Sequence, residues 1–278
     1  MTLPKYDLHC HTTASDGSLA PAQLVERAAG QGVEVLAITD HDSVAGLDEA
    51  SEAARSHGLV LVSGVELTAL WGRQVVHLVG LGFDRHADSL QRYLVRLEDM
   101  RRERAERIAH KLQQRNLPDL LPDVTARAGA GQVGRPHFAA ALVAAGVCEN
   151  EQQAFKRYLG PGKVGDVKMP WPAMSEALEM LHGVGGLGVL AHPTKYRLTF
   201  TRLRSLLNDF VKAGGDGLEV SYSGIKPDHQ REMHKIARRA ELLLSAGSDF
   251  HHPGQVWVEL GRFMPLEENG RHVLERLL

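Results

Sequence analysis

The residues with the most chemical potential for their spacing are His9 and His11, in the stretch Tyr6-Asp7-Leu8-His9-Cys10-His11. The stretch reads as a strand. Side chains on a strand alternate faces, so Asp7, His9 and His11 should share one face while Leu8 and Cys10 take the other. Two imidazoles about 7 Å apart on one face suit a pair of metal ligands. A lone His-x-His is as readily two surface histidines. Here it is followed by the turn Thr12-Thr13-Ala14-Ser15-Asp16-Gly17, and the chain later supplies Asp40-His41-Asp42, Glu66, His77, Ala191-His192-Pro193 and Ser248-Asp249-Phe250-His251. Short His/acid clusters that repeatedly end apolar runs argue for one shared site.

That ligand set is imidazole and carboxylate without thiolate, which favours Mn²⁺, Fe²⁺ or Zn²⁺ over a structural cysteine–zinc site. Nine candidates (His9, His11, Asp16, His41, Glu66, His77, His192, Asp249, His251) suit two or three ions, at three to four ligands each with a bridging carboxylate. Such a site activates water near neutral pH and stabilises the attacking and leaving oxygens of a phosphoryl displacement.

The elements that must position these groups alternate. After the first strand, Ser18 can cap a helix with Pro21 in its first turn, running to about Gln31. Residues 35–39 form a short buried strand ending at Asp40-His41, 44–57 a helix, 59–62 a third strand shortly before Glu66, and 75–82 a fourth that contains His77. Strands separated by helices argue for parallel βαβ units. The rhythm breaks from about 87 to 117, a long charged helix with Arg101, Arg104 and Arg107. A Pro/Gly/Ala-rich stretch runs from 118 to 134, helices are expected over 136–147 and 151–158, and 160–165 is loop. It resumes with helices 173–183, 201–213 and 227–240, which precede strands ending near His192, at Val220 and before Asp249. In a parallel barrel, strand C-termini converge on one face that holds the active site. His11, His41, Glu66, His192, Asp249 and His251 all fall at or just past such ends. The expected organisation is a barrel built from 1–100 and 169–278, with a helical insert at 101–168.

Composition sets the outer bounds. The 278 residues are 43% hydrophobic, enough for a sizeable core, and carry a net charge of −2, so no overall basic field awaits a long nucleic acid. Two isolated cysteines are no disulfide framework. The N-terminus lacks a signal-peptide apolar run, and no run approaches bilayer length. The expectation is a soluble, cytoplasmic protein without a membrane partner.

Taken in order, His9-x-His11 with Asp16, Thr39-Asp40-His41-Asp42, Gly64-Val65-Glu66, His77, Ala191-His192-Pro193 and Gly247-Ser248-Asp249-Phe250-His251 resemble the motifs of the PHP family, the polymerase and histidinol phosphatase domains. The resemblance implies a distorted (β/α)₇ barrel with a trinuclear centre. Carried over motif by motif, His9, His11, Glu66 and Asp249 would hold one ion. Glu66 would bridge to a second, held with His77 and His192, and Asp16, His41 and His251 would hold the third. Many members carry His where this chain has Asp16, which implies a weaker third site or a harder metal. Two to three divalent ions are expected, Mn²⁺ first.

The insert and Gly134-Arg135-Pro136-His137-Phe138 are similar to the subfamily of 3′,5′-nucleoside bisphosphate phosphatases, related to ribonuclease AM. The residues agree in kind. Arg101, Arg104 and Arg107 lie close on one helix surface, although a solvated face laced by Glu103 and Glu106 reads equally well. Arg135 at a helix start suits phosphate, which binds both helix N-termini and Arg forks, and His137 could bond the same group. Lys195 and Tyr196 lie within reach of His192; Glu219 and Tyr222 have no assigned role. The implied activity removes the 3′-phosphate of a nucleoside 3′,5′-bisphosphate by in-line attack, leaving a 5′-monophosphate, with the insert as a lid that grips the second phosphate. The competitors are a 5′-to-3′ exoribonuclease on short RNA, a histidinol-phosphate phosphatase, an amidohydrolase-type enzyme, and a metal-binding PHP module without catalysis.

Overall fold

The computed structural model describes residues 3–267 and 270–278. Seven strands lie in the order of the chain: β1 (Tyr6–Asp7), β2 (Val35–Ile38), β3 (Val60–Trp71), β4 (Gln74–Leu81), β5 (Leu187–Leu190), β6 (Gly217–Ser221) and β7 (Leu243–Ala246). Segments just past β7 and β1 close the ring, with Leu8 N–H donating to Ala246 O at 3.3 Å, Asp249 N–H to His9 O at 2.8 Å and His11 N–H to Phe250 O at 2.9 Å. Gly247 makes that closure possible: a Cβ there would lie 2.3 Å from the His9 Cβ. The expected distorted seven-strand barrel is what forms.

Hydrophobic burial follows strand alternation. Val35 and Ala37 point into the barrel, with Leu8, Val62, Val79, Leu81, Val189, Ala191 and Leu243. Leu36 and Ile38 point outward against α1 (Pro21–Gly30) and α2 (Leu47–His57). Buried on both faces, β2 reads as a continuous apolar run. By the same alternation, Glu66 lies between outward-packed Val65 and Leu67, His77 between Val76 and Leu78, and Glu219 between Leu218 and Val220. All three therefore project into the barrel.

Several local expectations are corrected. β3 is twelve residues long, so Glu66 sits in its middle rather than past its end. β4 is antiparallel to both β3 and β5, which breaks the all-parallel pattern. The two-residue turn Gly72-Arg73, with Gly72 at φ +59°, joins β3 directly to β4 as a hairpin. The Tyr6–His11 stretch is a regular strand only over Tyr6–Asp7. Alternation slips after Leu8: Leu8 packs inside, Cys10 packs outside, and Asp7 accepts from the N–H groups of Ser248 and Gly261, at 2.9 and 2.8 Å, rather than joining the histidines. Ser18 does not cap α1. Ala20 is the N-cap, and its N–H is taken by the Gln23 side chain at 3.0 Å.

The segment after β4 is helical, as expected. It contains α3 (Asp88–Gln113), α4 (Leu121–Ala128), α5 (Arg135–Ala144), and α6 (Glu151–Ala154) running into a π-helical turn, Phe155–Leu159. α4 falls in the Pro/Gly/Ala-rich stretch. α3 is continuous through residue 101, so a division there falls inside a helix. Leu90, Leu94, Leu97, Ala105, Ile108 and Leu112 bury its inner stripe, and Arg101 lies within that stripe. α7 (Met174–Gly183), α8 (Phe200–Lys212) and α9 (Pro227–Arg239) complete the outer layer, and α10 (Leu274–Leu277) lies at the C-terminus. No described helix is long and apolar enough to cross a membrane.

Candidate metal centre

The extra length of β3 brings the site together. Asp42 N–H donates to Glu66 O at 2.9 Å and Glu66 N–H to Asp40 O at 3.1 Å, so the middle of β3 is level with the segment that follows β2. Thr68 pairs with His77 across the hairpin, and Ala191 N–H donates to His77 O at 3.0 Å. Antiparallel β4 thus presents the start of its strand where its neighbours present their ends. His9, His11, His41, Glu66, His77, His192, Asp249, His251 and Asp16 converge on this one level.

Glu66 is at the centre. Its Oε2 lies 3.4 Å from His9 Nε2, 3.4 Å from His11 Nε2 and 2.9 Å from His41 Nδ1. Its Oε1 lies 2.9 Å from His77 Nδ1 and 2.8 Å from His192 Nε2. Asp249 Oδ1 is 3.6 Å from His9 Nε2 and 3.4 Å from His11 Nε2. Asp16 is 3.4 Å from His251 Nε2 and 3.8 Å from His41 Nε2. Four overlapping groups have donor atoms close enough to share an ion: His9, His11 and Asp249; His9, Glu66 and His192; His41, Glu66 and His77; and His11, Asp16, His41 and His251. His77 and His192, expected together, each meet Glu66 Oε1 but fall in different groups. Donors about 2.1 Å from one ion sit about 3.0–3.4 Å apart in octahedral or tetrahedral arrangements, and these separations, 2.8 to 3.8 Å, bracket that range.

Buried polar atoms without partners make the same point. Among the described residues, His9 Nε2, His11 Nε2, His41 Nδ1, Glu66 Oε2 and His192 Nδ1 are buried and form no hydrogen bond. Orphans of this kind are costly in a folded interior, and here four of the five face one another across a few ångströms. A divalent cation satisfies them together, so the residues present fit metal. Backbone strain is concentrated here too: Asp42, His192 and Asp249 have φ of 51°, 28° and 55°.

Electrostatics prepares the carboxylates and His11, while at His9, His41 and His251 the neighbouring carboxylates outweigh burial and raise the imidazole. Burial alone would raise the Glu66 carboxyl, but His41, His77 and His9 outweigh it and hold it well below the usual range. Asp16 and Asp249 are likewise held down despite burial, Asp16 by His41 and His251 and Asp249 by Lys195 and His9. Burial, with His251 beside it, pushes His11 down to about 3. Ionised carboxylates and a neutral imidazole are the states that ligate.

A second layer orients the first. Asp40 accepts from Thr12 N–H at 2.7 Å, Thr12 Oγ1 at 2.6 Å and Ser15 Oγ at 2.6 Å, which fixes the turn that carries Asp16. Tyr196 Oη accepts from His77 N–H at 3.0 Å and donates to Ala191 O at 2.7 Å. Glu219, which the sequence left without a role, binds both His9 and the backbone of His192. An acid between two outward-facing aliphatic residues of a strand was the available signal.

The helical segment that follows β4 meets the site from above. Gln132 N–H donates to Ala14 O at 3.1 Å, and a Cβ on Gly134 would lie 3.6 Å from Asp16 Oδ2. His137 Nδ1 accepts from Gly134 N–H at 3.0 Å, capping α5. Arg101 is spoken for: Nε and Nη2 hold Asp42 Oδ2 at 2.7 and 2.6 Å, and Nη2 also reaches Thr68 Oγ1 at 3.0 Å. Among the described residues, Arg104 and Arg135 hydrogen-bond only to carbonyls, of Val167 at 3.3 Å and Leu159 at 3.4 Å, with the Asp166 carboxylate nearby but not paired to either. Burial and the adjacent guanidiniums of Arg135 and Arg101 bring Arg104 down to about 9, so the three arginines form one positive cluster. The outer face of α3 is different: Arg102 pairs with Glu98 and Arg107 with Glu103, a solvated, self-neutralised surface. Lys195 binds Asp249 and stays partly exposed above the Tyr222 ring.

The PHP domain profile matches residues 7–119. A 5′-3′ exoribonuclease of Haemophilus influenzae is 42% identical over 272 residues, covering 98% of each chain. A 3′,5′-nucleoside bisphosphate phosphatase of Chromobacterium violaceum is 37% identical over 92% of this chain and 90% of its own. Among solved structures, a Bifidobacterium adolescentis protein described as a metal-dependent phosphoesterase superposes with a TM-score of 0.84 at 33% identity, over 98% of this chain and 94% of that one.

Proposed function

Because this chain belongs to the PHP family, we propose that its barrel mouth is a trinuclear phosphoesterase centre acting on nucleoside 3′,5′-bisphosphates. The supporting observation is the set of buried, orphaned donors around Glu66. His9, His11, Asp249 and Glu66 would hold one ion, His77, His192 and Glu66 a second, and Asp16, His41 and His251 a third, with Mn²⁺ the first candidate and Fe²⁺ or Zn²⁺ the alternatives. Bound divalent ions supply a nucleophile from water at neutral pH and offset charge on the phosphoryl oxygens.

The chain's own residues supply orientation and substrate grip. Asp42 and Asp40 hold the segments carrying His41 and Asp16 in place. Arg104 and Arg135, which form no ion pair among the described residues, receive the second phosphate, with His137 beside them and Arg101 adding charge from its pair with Asp42. Residues 101–168 then act as the lid, and Lys195 contributes a cation at the opposite rim. The enzyme is a phosphoric monoester hydrolase, releasing the 3′-phosphate and leaving a nucleoside 5′-monophosphate.

A second reading is favoured by the exoribonuclease relative: 5′-to-3′ trimming of short RNA. An exonuclease that releases 5′-monophosphates breaks the same bond between phosphorus and O3′ while holding the same 5′-phosphate. Only the group beyond the scissile phosphorus differs. The test is product release with Mn²⁺ across nucleoside bisphosphates, 3′- and 5′-mononucleotides and short 5′-phosphorylated RNA. Fast release from bisphosphates and slow release from mononucleotides supports the first reading. A large preference for RNA replaces it with the second, and no release from any substrate leaves a metal-binding module.

A further inference from the structure

Glu219 is 2% exposed in the middle of β6, and among the described residues no Lys or Arg forms an ion pair with it. Each oxygen has one partner. Oε1 lies 3.0 Å from His9 Nδ1 and Oε2 accepts from the backbone N–H of His192 at 2.6 Å. We infer that Glu219 is the positioning residue that couples the ligand sets of two of the proposed ions: it keeps the His9 proton on Nδ1, so that Nε2 is free to face an ion as a lone pair, and it pins the strained backbone at His192. This rests on the ligand assignment proposed above.

The chemistry follows from what a carboxylate can do. An ionised carboxylate only accepts hydrogen bonds, so its contact with Nδ1 requires the proton there. Nε2, buried and without a partner, is then the only His9 atom able to ligate. The other oxygen works against strain. His192 has φ of 28°, a conformation its side chain disfavours, and the short bond to Glu219 holds its N–H in that geometry. His192 Nε2 then meets Glu66 Oε1, and His9 Nε2 meets Glu66 Oε2. Glu219 below and Glu66 above therefore join the same two histidines, and their spacing is set from both sides.

Glu219→Gln tests this because the amide keeps the shape and loses an acceptor. If its NH₂ turns to His9, it donates to Nδ1 and drives the proton onto Nε2, blocking ligation. If it turns to the His192 N–H, two donors face each other and His192 is released. Either way one grouping fails. Metal-free wild type, Glu219→Gln and Glu219→Ala are titrated with Mn²⁺ and Zn²⁺ by calorimetry, with bound ions counted by elemental analysis and folding checked by circular dichroism. The expected result is a 10- to 100-fold weaker affinity, roughly, for at least one ion in Glu219→Gln. If Glu219 only fills space, Gln should bind like wild type and only Ala should lose affinity; that pattern overturns the inference. Should Glu219→Gln fail to fold, imidazole nitrogen NMR of zinc-loaded wild type decides. A proton on His9 Nδ1 supports the assignment, and one on Nε2 overturns it. Wild type that binds no ion would instead sink the ligand assignment itself.

Discussion

At the floor of the barrel His272 is buried with both ring nitrogens in use: Nδ1 accepts from Leu274 N–H at 3.0 Å and Nε2 meets Tyr6 Oη at 2.9 Å. At the mouth His9, His11 and His41 are also buried or nearly so, yet each has a ring nitrogen without a partner, turned toward Glu66. Residue type and burial are therefore nearly the same at the two ends. What separates a structural histidine from a candidate ligand is whether its hydrogen-bonding capacity is already spent. The same contrast divides the arginines. Arg107 is satisfied by Glu103 on the surface, whereas Arg104 and Arg135 are half-buried and, among the described residues, hydrogen-bond only to carbonyls.

The sharpest way to break this contrast is Glu66→Gln. One oxygen of a shared carboxylate becomes a donor, so bound metal should fall by at least one equivalent and phosphate release by about a thousandfold or more. Retained activity in chelator would end the multi-metal interpretation. Asp16→Ala should remove one ion and about 99% of kcat if Asp16 completes a third grouping; an unchanged metal count with raised KM would make it a substrate contact instead.

Arg135→Ala probes the mouth's outer anion site. Losing a charge-assisted bond costs roughly 1.5–3 kcal/mol, so kcat/KM for a 3′,5′-bisphosphate should fall about 10- to 150-fold. Hydrolysis of a 3′-mononucleotide should barely change, because that contact is never made there. Equal losses on both substrates would place Arg135 at the reacting phosphate or in folding.

The floor predicts an effect on stability alone. Burial, opposed only by Glu275, depresses His272 to about 4. The folded state thus prefers it neutral. Its contribution is full above the unfolded value of about 6.5 and is lost as pH falls toward 4, amounting to about 2 kcal/mol between pH 7 and pH 5. Urea unfolding of metal-free wild type should show that slope on top of the mouth's own titration, and His272→Phe should flatten it by that amount while leaving kcat unchanged. An identical slope in the variant would mean His272 is not held neutral. The smallest expected effect is Arg107→Ala, within about 0.5 kcal/mol in stability and without change in kcat/KM. A loss on RNA but not on bisphosphates would turn that solvated face into a nucleic-acid track.

Much of this site was legible because metal ligation is a matter of residue type and local placement. Imidazoles and carboxylates ending apolar runs identify themselves one cluster at a time, and β2, buried on both faces, announces itself by composition. Three things were decided only by the tertiary structure. Strand direction is one: β4 runs antiparallel because the Gly72-Arg73 turn joins it directly to β3, and this puts His77 at the mouth. Strand length is another, since β3 extends past its neighbours and brings mid-strand Glu66 level with His41. The third is how partners are shared out. Nothing local distinguishes Arg101, held by Asp42, from Arg104, which forms no ion pair among the described residues, or Glu219, bound to His9, from a strand acid facing water. A side chain's type is written in the chain, but which donors and acceptors it meets depends on segments tens to hundreds of residues away, and only the closed barrel sets those distances.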